Sequence, residues 1–156
     1  MFYAPPPLGG QSFYKTLRIK LKSLHAQFNV MAIFLRILRE DWARRVFENG
    51  TYYTSLRRKW EKGLECLFIM KTDFGDSVVG YGIIEDYKTR EEWLKNGGGN
   101  FTEHPWKTVL IFGKTVKFQN PVPIKELQLD KRLRGKYLHG LKVDRLLVNK
   151  ILNLSS

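Results

Sequence analysis

Residues 52–60, Tyr52-Tyr53-Thr54-Ser55-Leu56-Arg57-Arg58-Lys59-Trp60, hold a dense mixture of rings and cations. An aromatic ring stacks on an unpaired base, and a guanidinium offers a planar fork of donors to phosphate or a base edge. Rings and guanidinia interleaved in this way point to the gripping of a single-stranded or modified nucleotide. In a strand, alternation sets Tyr53, Ser55 and Arg57 on one face and Tyr52, Thr54, Leu56 and Arg58 on the other. Either face then carries a ring and a guanidinium, and Trp60 follows at once. The competing reading keeps the tyrosines and Trp60 as core and leaves Arg57, Arg58 and Lys59 to solvate a strand end. Lys131-Arg132-Leu133-Arg134-Gly135-Lys136-Tyr137 is a second basic run with a ring, a phosphate track or a solvated loop.

Other chemistries have less to work with. Cys66 is the sole cysteine, so no intrachain disulfide forms, and inside an apolar run it reads as a small buried thiol. His25, His104 and His139 stand far apart, none in a metal-ligand spacing, so neither metal nor cofactor is expected. These features fit a reducing compartment, and the expected location is the cytoplasm. Asp73-Phe74-Gly75 imitates a kinase magnesium motif without its companion loops. Gly80-Tyr81-Gly82 lies inside a strand pattern, where glycine permits close backbone approach.

The elements that position residues 52–60 follow with little linker. Residues 33–38 read as a strand interrupted by Arg36 and closed by Arg39. Residues 41–49 read as a helix with Trp42, Ala43, Val46 and Phe47 on one face, stopped by Gly50 in the left-handed conformation. Strands are expected over 52–57, 64–71 and 77–84. Thr89 and Glu92 fit a capping box opening a short helix over 89–96. Gly97, Gly98 and Gly99 then break it, and residues 93–106 read as a flexible surface excursion. Residues 108–118 form one strand bent at Gly113, or two meeting there, ended by Pro121 and Pro123. Val143, Leu146, Leu147, Lys150, Ile151 and Leu154 recur at helical spacing, as a helix that packs one apolar face across an open end of the sheet.

The 156 residues suffice for one core, and 43% hydrophobic with 13% aromatic content argues against global disorder. No apolar run approaches the ~20 residues that cross a bilayer. The formal charge is +12, with residues 1–30 carrying four basic groups and no acid, and residues 125–156 a net +5. Such an excess favours a polyanion partner, or serves only solubility. Residues 1–30 differ from the rest: a Pro/Gly stretch precedes Phe13, Leu17, Leu21, Leu24 and Phe28, an apolar stripe opposite Lys15, Arg18, Lys20 and Lys22. They are expected to be a dispensable basic extension, flexible or helical, before a domain over 31–156.

The strand, Gly-ended helix and basic second strand, with a Gly-x-Gly strand further on, resemble the PUA-like superfamily of small RNA- and modified-base-binding pseudo-barrels. Its ASCH branch carries Gly-x-Lys-x-x-Glu-x-Arg where this chain has Gly50-Thr51-Tyr52-Tyr53-Thr54-Ser55-Leu56-Arg57. Gly50 and Arg57 match, while Tyr52 and Ser55 replace lysine and glutamate. The resemblance covers roughly residues 31–153, looks closest to an uncharacterised archaeal PUA-like family, and is more distant from EVE domains. It implies an α+β fold, a mixed β pseudo-barrel of about five to six strands with short flanking helices. It also implies a cleft near the first helix and second strand, which makes Arg36, Arg39 and Trp42 neighbours of Arg57.

Some ASCH proteins hydrolyse an acetylated cytidine with a lysine supported by a glutamate. Tyr52 lacks that amine and Ser55 that carboxylate, so the catalysis does not carry over. The expected function is non-catalytic binding of RNA or a modified nucleobase through Arg36, Arg39, Trp42, Tyr52, Tyr53, Ser55, Arg57, Arg58 and Trp60. The alternatives are a small hydrolase of a modified nucleoside, using Lys107, His104 or Glu85, and a protein- or membrane-surface module built on the N-terminal helix.

Overall fold

The computed structural model describes residues 32–129 and 135–156. The N-terminal stripe and basic residues 131–134 lie outside them. Met31–Ser156 forms one compact unit. Its framework is a six-stranded mixed sheet, in the order β2-β5-β4-β3-β1-β6. The strands are β1 (Ala32–Arg36), β2 (Thr51–Thr54), β3 (Glu65–Thr72), β4 (Gly75–Thr89), β5 (Thr108–Pro123) and β6 (Lys142–Val143). β1 and β3 are parallel, and the other neighbours are antiparallel. This is the expected α+β architecture: a curled sheet that no backbone ladder closes.

β1 and β3 sit centrally, which explains their unbroken apolar sequences. Ile33, Phe34, Leu35 and the run Cys66, Leu67, Phe68, Ile69 are all fully buried, with both faces covered. On one face Phe34, Leu67, Ile69, Val78 and Val122 pack under the C-terminal helix. On the other, Phe68 is ringed by Phe47, Tyr52 and Phe112 at centroid distances of 5.6, 6.3 and 5.3 Å. Tyr52 belongs to the edge strand β2, three places from β3 in the sheet order. In a flat sheet that separation is about 14 Å, so contact at 6.3 Å means that the sheet curls.

The first helix, α1, starts at Glu40–Arg44 and widens into a π turn over Arg45–Asn49. Gly50 stops it with φ 69°, as expected of a left-handed C-cap. A Cβ there would also stand 2.6 Å from the Phe112 carbonyl oxygen, so the site demands glycine twice over. Gly80 permits the close approach expected of it: a Cβ would lie 2.5 Å from the Phe47 ring.

β4 and β5 form one long bent hairpin. The bend expected at Gly113 is a bulge, since Ile83 faces Lys114 but Ile84 faces Phe112. β5 does not end at Pro121 but runs on to Pro123. Gly80 pairs with Lys117 and Val78 with Val122, so residues 118–121 all stand opposite Val79. Pro121 falls in this unpaired stretch, where the ladder needs no amide.

The capping box at Thr89 and Glu92 is present and opens α2 (Arg90–Lys95). The last helix, α3 (Arg145–Leu154), differs in phase from the expected stripe. Val143 is already in β6, and the Asp144 carboxylate starts the helix by accepting the Leu147 amide at 2.9 Å. Val148 and Ile151 become the buried side, and Leu146 is 80% exposed. The helix lies on one sheet face, tied by Arg145, whose guanidinium is bidentate on Glu65, a carboxylate that also accepts the Tyr81 hydroxyl. Among the described residues no helix is long and apolar enough to cross a membrane.

Because the buried residues form one compact unit from Met31 onward, a protein lacking residues 1–30 should unfold cooperatively. Circular dichroism melting tests this. A broad, non-cooperative melt would show that Phe13, Leu17 and Leu21 contribute to the core.

Candidate nucleic-acid interface

Arg36 is the last residue of β1, and it is not a solvent-facing cation. Its guanidinium makes two hydrogen bonds to Asp76, at 3.0 and 2.8 Å, and a third to the Gly135 carbonyl at 3.0 Å. Its side chain is 15% exposed. The pairing holds the Asp76 carboxyl below its ordinary range. The Arg36 amide donates to His139 Nδ1 at 3.1 Å, and its carbonyl accepts the Tyr52 hydroxyl at 2.6 Å. Arg36 is thereby a structural hub, a correction to its expected place among ligand-binding groups.

Tyr52 is corrected with it. The ring is buried inside the curled sheet and its phenol is committed to Arg36, so it cannot serve as a platform for an external base. Burial, reinforced by the neighbouring Cys66, raises its pKa, and the phenol stays protonated. Burial raises the Cys66 thiol as well.

The second strand is shorter than expected, and this redistributes the remaining candidates. β2 ends at Thr54, whose Oγ1 accepts the Leu56 amide at 3.0 Å in place of a ladder partner. Strand alternation therefore stops before Ser55, and residues 55–63 form a turn. Trp60 folds inward and is 4% exposed, a second correction from ligand platform to core. The Arg58 guanidinium lies 5.1 Å from the Trp60 ring centroid, half-buried. Ser55, Arg57 and Lys59 are exposed. Among the described residues, Arg57, Arg58 and Lys59 have no ion-pair partner, whereas Lys62 and Lys88 both pair with Asp86. Exposed Lys107 and Arg90 stand at the same end of the sheet, since Lys107 donates its amide to the Thr54 carbonyl and accepts from the Arg90 amide, each at 2.9 Å.

Tyr53 points to the opposite side of β2 from Tyr52, into an aromatic cluster that sequence reasoning missed. Phe101 stacks on Tyr53 with centroids 5.0 Å apart and planes 5° from parallel. Trp106 and Trp93 meet Tyr53 edge-on at 4.8 and 6.4 Å. Trp42, from α1, packs against Phe101 and His104. Residues 93–106 do run over the surface, but two rings anchor them: Phe101 and Trp106 are buried, and Trp106 Nε1 donates to the Phe101 carbonyl at 2.7 Å. The missed signal was the three rings Trp93, Phe101 and Trp106 in so glycine-rich a stretch. Glu103 fastens the segment, accepting from Trp42 Nε1 at 2.8 Å and Arg45 at 3.0 Å, and these bonds hold its carboxyl below the ordinary range. Arg39 is exposed and meets Asp41 at 3.0 Å and Glu103 at 3.9 Å.

The architecture has solved counterparts. The ASCH protein of Zymomonas mobilis superposes with a TM-score of 0.60 over 79% of this chain and 94% of its own, at 12% identity. The chain shares the ASCH fold. A hypothetical protein of Leishmania major matches over 81% of this chain and 94% of its own, with TM-score 0.53 and 14% identity. A protein of Pseudomonas syringae matches over 79% and 98%, with TM-score 0.52 and 15% identity. No family model matches the sequence, and neither does any curated protein. The ASCH likeness therefore rests on the fold.

Two predictions follow from the hub. Tyr52→Phe removes the donor to a part-buried carbonyl and should cost about 1 to 2 kcal/mol in denaturant unfolding, with an unchanged slope. An unaltered midpoint would mean that the hydroxyl does not bridge β2 to β1. The second concerns His139, which burial and the Arg36 guanidinium hold below its ordinary pKa of 6.5, His104 adding to the effect. A neutral imidazole is needed to accept the Arg36 amide, so this contribution is complete above pH 6.5 and lost as pH falls towards the folded-state value. The melting temperature should drop as pH falls below 6.5, and His139→Gln should flatten that part of the profile.

Proposed function

We propose that this domain binds single-stranded RNA or a modified nucleobase and does no chemistry on it. The observation that carries the reading is the turn after β2, where Arg57, Arg58 and Lys59 follow in sequence with no acid paired to them among the described residues. Trp60 supports the Arg58 guanidinium from below, which preorganises a planar fork for phosphate or a base edge. Arg90 and Lys107 extend the cationic end of the sheet. The formal charge of +12 and the ASCH fold support the same partner class.

The non-catalytic part of the reading is supported by the two positions where the ASCH motif has lysine and glutamate. One holds Tyr52, buried and hydrogen-bonded as a protonated phenol; the other holds Ser55, exposed at the start of the turn. Neither is a base at neutral pH. A reducing cytoplasm is the setting in which such a protein, with its single buried thiol, would meet RNA.

Arg57→Ala tests the reading. Fluorescence anisotropy with a single-stranded RNA should show weaker binding and a salt dependence shallower by about one unit of log–log slope. The melting temperature should hardly move, since surface changes shift stability within ~0.5 kcal/mol. Unchanged affinity together with a large loss of stability would make Arg57 a structural residue.

A further inference from the structure

The Phe101 ring occupies a position with the attributes of a base-binding slot. Tyr53 lies parallel to it at 5.0 Å, and the Arg45 guanidinium carbon stands 4.4 Å from its centroid. Trp42 closes the side, edge-on at 5.4 Å. These are the contacts that hold a flipped or unpaired base. A phenyl ring, however, leaves the polar part of the slot unused. Arg45 Nη1 is buried with no hydrogen-bond partner, and Arg45 borders a cavity of about 10 Å³, room for about one water, walled also by Trp42, Tyr53 and Phe101. A buried guanidinium donor aimed at no acceptor is costly, and a carbonyl oxygen carried by a planar ring would satisfy it.

The segment bearing Phe101 is held by its rings and by a few side-chain hydrogen bonds. It enters through Gly97, Gly98 and Gly99, and its outer fastening is Glu103 on Trp42 and Arg45, an exposed set of contacts that water and salt weaken. Its inner fastenings are the bonds from Trp106 Nε1 to the Phe101 carbonyl and from Trp93 Nε1 to the Gly99 carbonyl. Displacement of Phe101 would free the Trp106 indole as a second donor beside the slot.

We infer that the space between Tyr53 and Arg45 is a seat for a carbonyl-bearing base, uracil, cytosine or guanine, and that Phe101 is its intramolecular occupant. The inference deepens the nucleic-acid reading and rests on it: the cationic turn would hold phosphate, and the slot one base. Adenine carries no carbonyl oxygen, only ring nitrogens as acceptors, so it would meet the Arg45 and Trp106 donors less well.

Uridine 5′-monophosphate, with adenosine 5′-monophosphate as comparison, is titrated against the full chain while tryptophan fluorescence is followed. Phe101→Ala should bind the uridine nucleotide about tenfold more tightly than the unaltered protein, and the adenosine nucleotide several-fold less tightly than the uridine one. Adding Arg45→Gln to Phe101→Ala should remove the gain. No gain, or a gain that survives Arg45→Gln, overturns the slot. Should Phe101→Ala fail to fold, amide hydrogen exchange of the unaltered protein decides: a uridine oligonucleotide should raise exchange over residues 97–104, and unchanged exchange in the bound state, or no binding, overturns the slot. RNA binding by the unaltered protein with a slot indifferent to these changes leaves the RNA reading standing alone. A uridine nucleotide gain in Phe101→Ala, with no RNA binding by the unaltered protein, overturns the RNA reading and leaves a small-ligand site.

Discussion

Arg36 makes four kinds of contact from the end of one buried strand, and the curled sheet depends on them. Its amide, carbonyl and guanidinium reach His139, Tyr52, Asp76 and Gly135, in three segments distant in sequence. Among the described residues the sheet ends at β2 and β6, and no ladder joins them. Tyr52 crosses that seam from β2 to β1. The segment after Gly135 flanks β1 by backbone bonds, Gly140 to the Phe34 carbonyl at 2.8 Å and Phe34 to the Leu141 carbonyl at 2.9 Å. A part-buried guanidinium is tolerable only with its acceptors in place, and removing one partner of a buried pair costs about 3 to 5 kcal/mol. The seam is thus closed by polar groups that fit one arrangement.

The direction of β2 then decides what faces solvent. Tyr52 and Tyr53 are adjacent, and the strand sends them to opposite sides. One ring fills the space around Phe68, and the other founds the aromatic cluster with Phe101 and Trp106. Where the strand stops, Thr54 diverts the backbone into a turn that buries Trp60 and leaves Arg57 and Lys59 outside. Burial therefore changes from residue to residue over nine positions. The π turn in α1 adds Arg45 to the same side as Trp42, where both meet Glu103.

The sequence by itself determined the elements whose signals are local. Gly50 ends the first helix because glycine accepts a positive φ, Thr89 and Glu92 open the second because their side chains satisfy its first amides, and Gly113 marks the bend in the long hairpin. The strand–helix–strand order and Gly50 with Arg57 were enough for the ASCH resemblance, whose fold the structure shares. Burial was not legible in the same way. Tyr52, Trp60 and Arg36 have the composition of a binding site, yet Trp60 is buried, and Tyr52 and Arg36 are consumed by each other and by Asp76, partners that only the curl of the sheet brings near. Phe101 gave the opposite error: glycine-rich neighbours read as a loop, while a ring 48 positions earlier in the chain holds it in place. Side-chain type and spacing specify which bonds a residue can make; tertiary structure decides which partners arrive to use them.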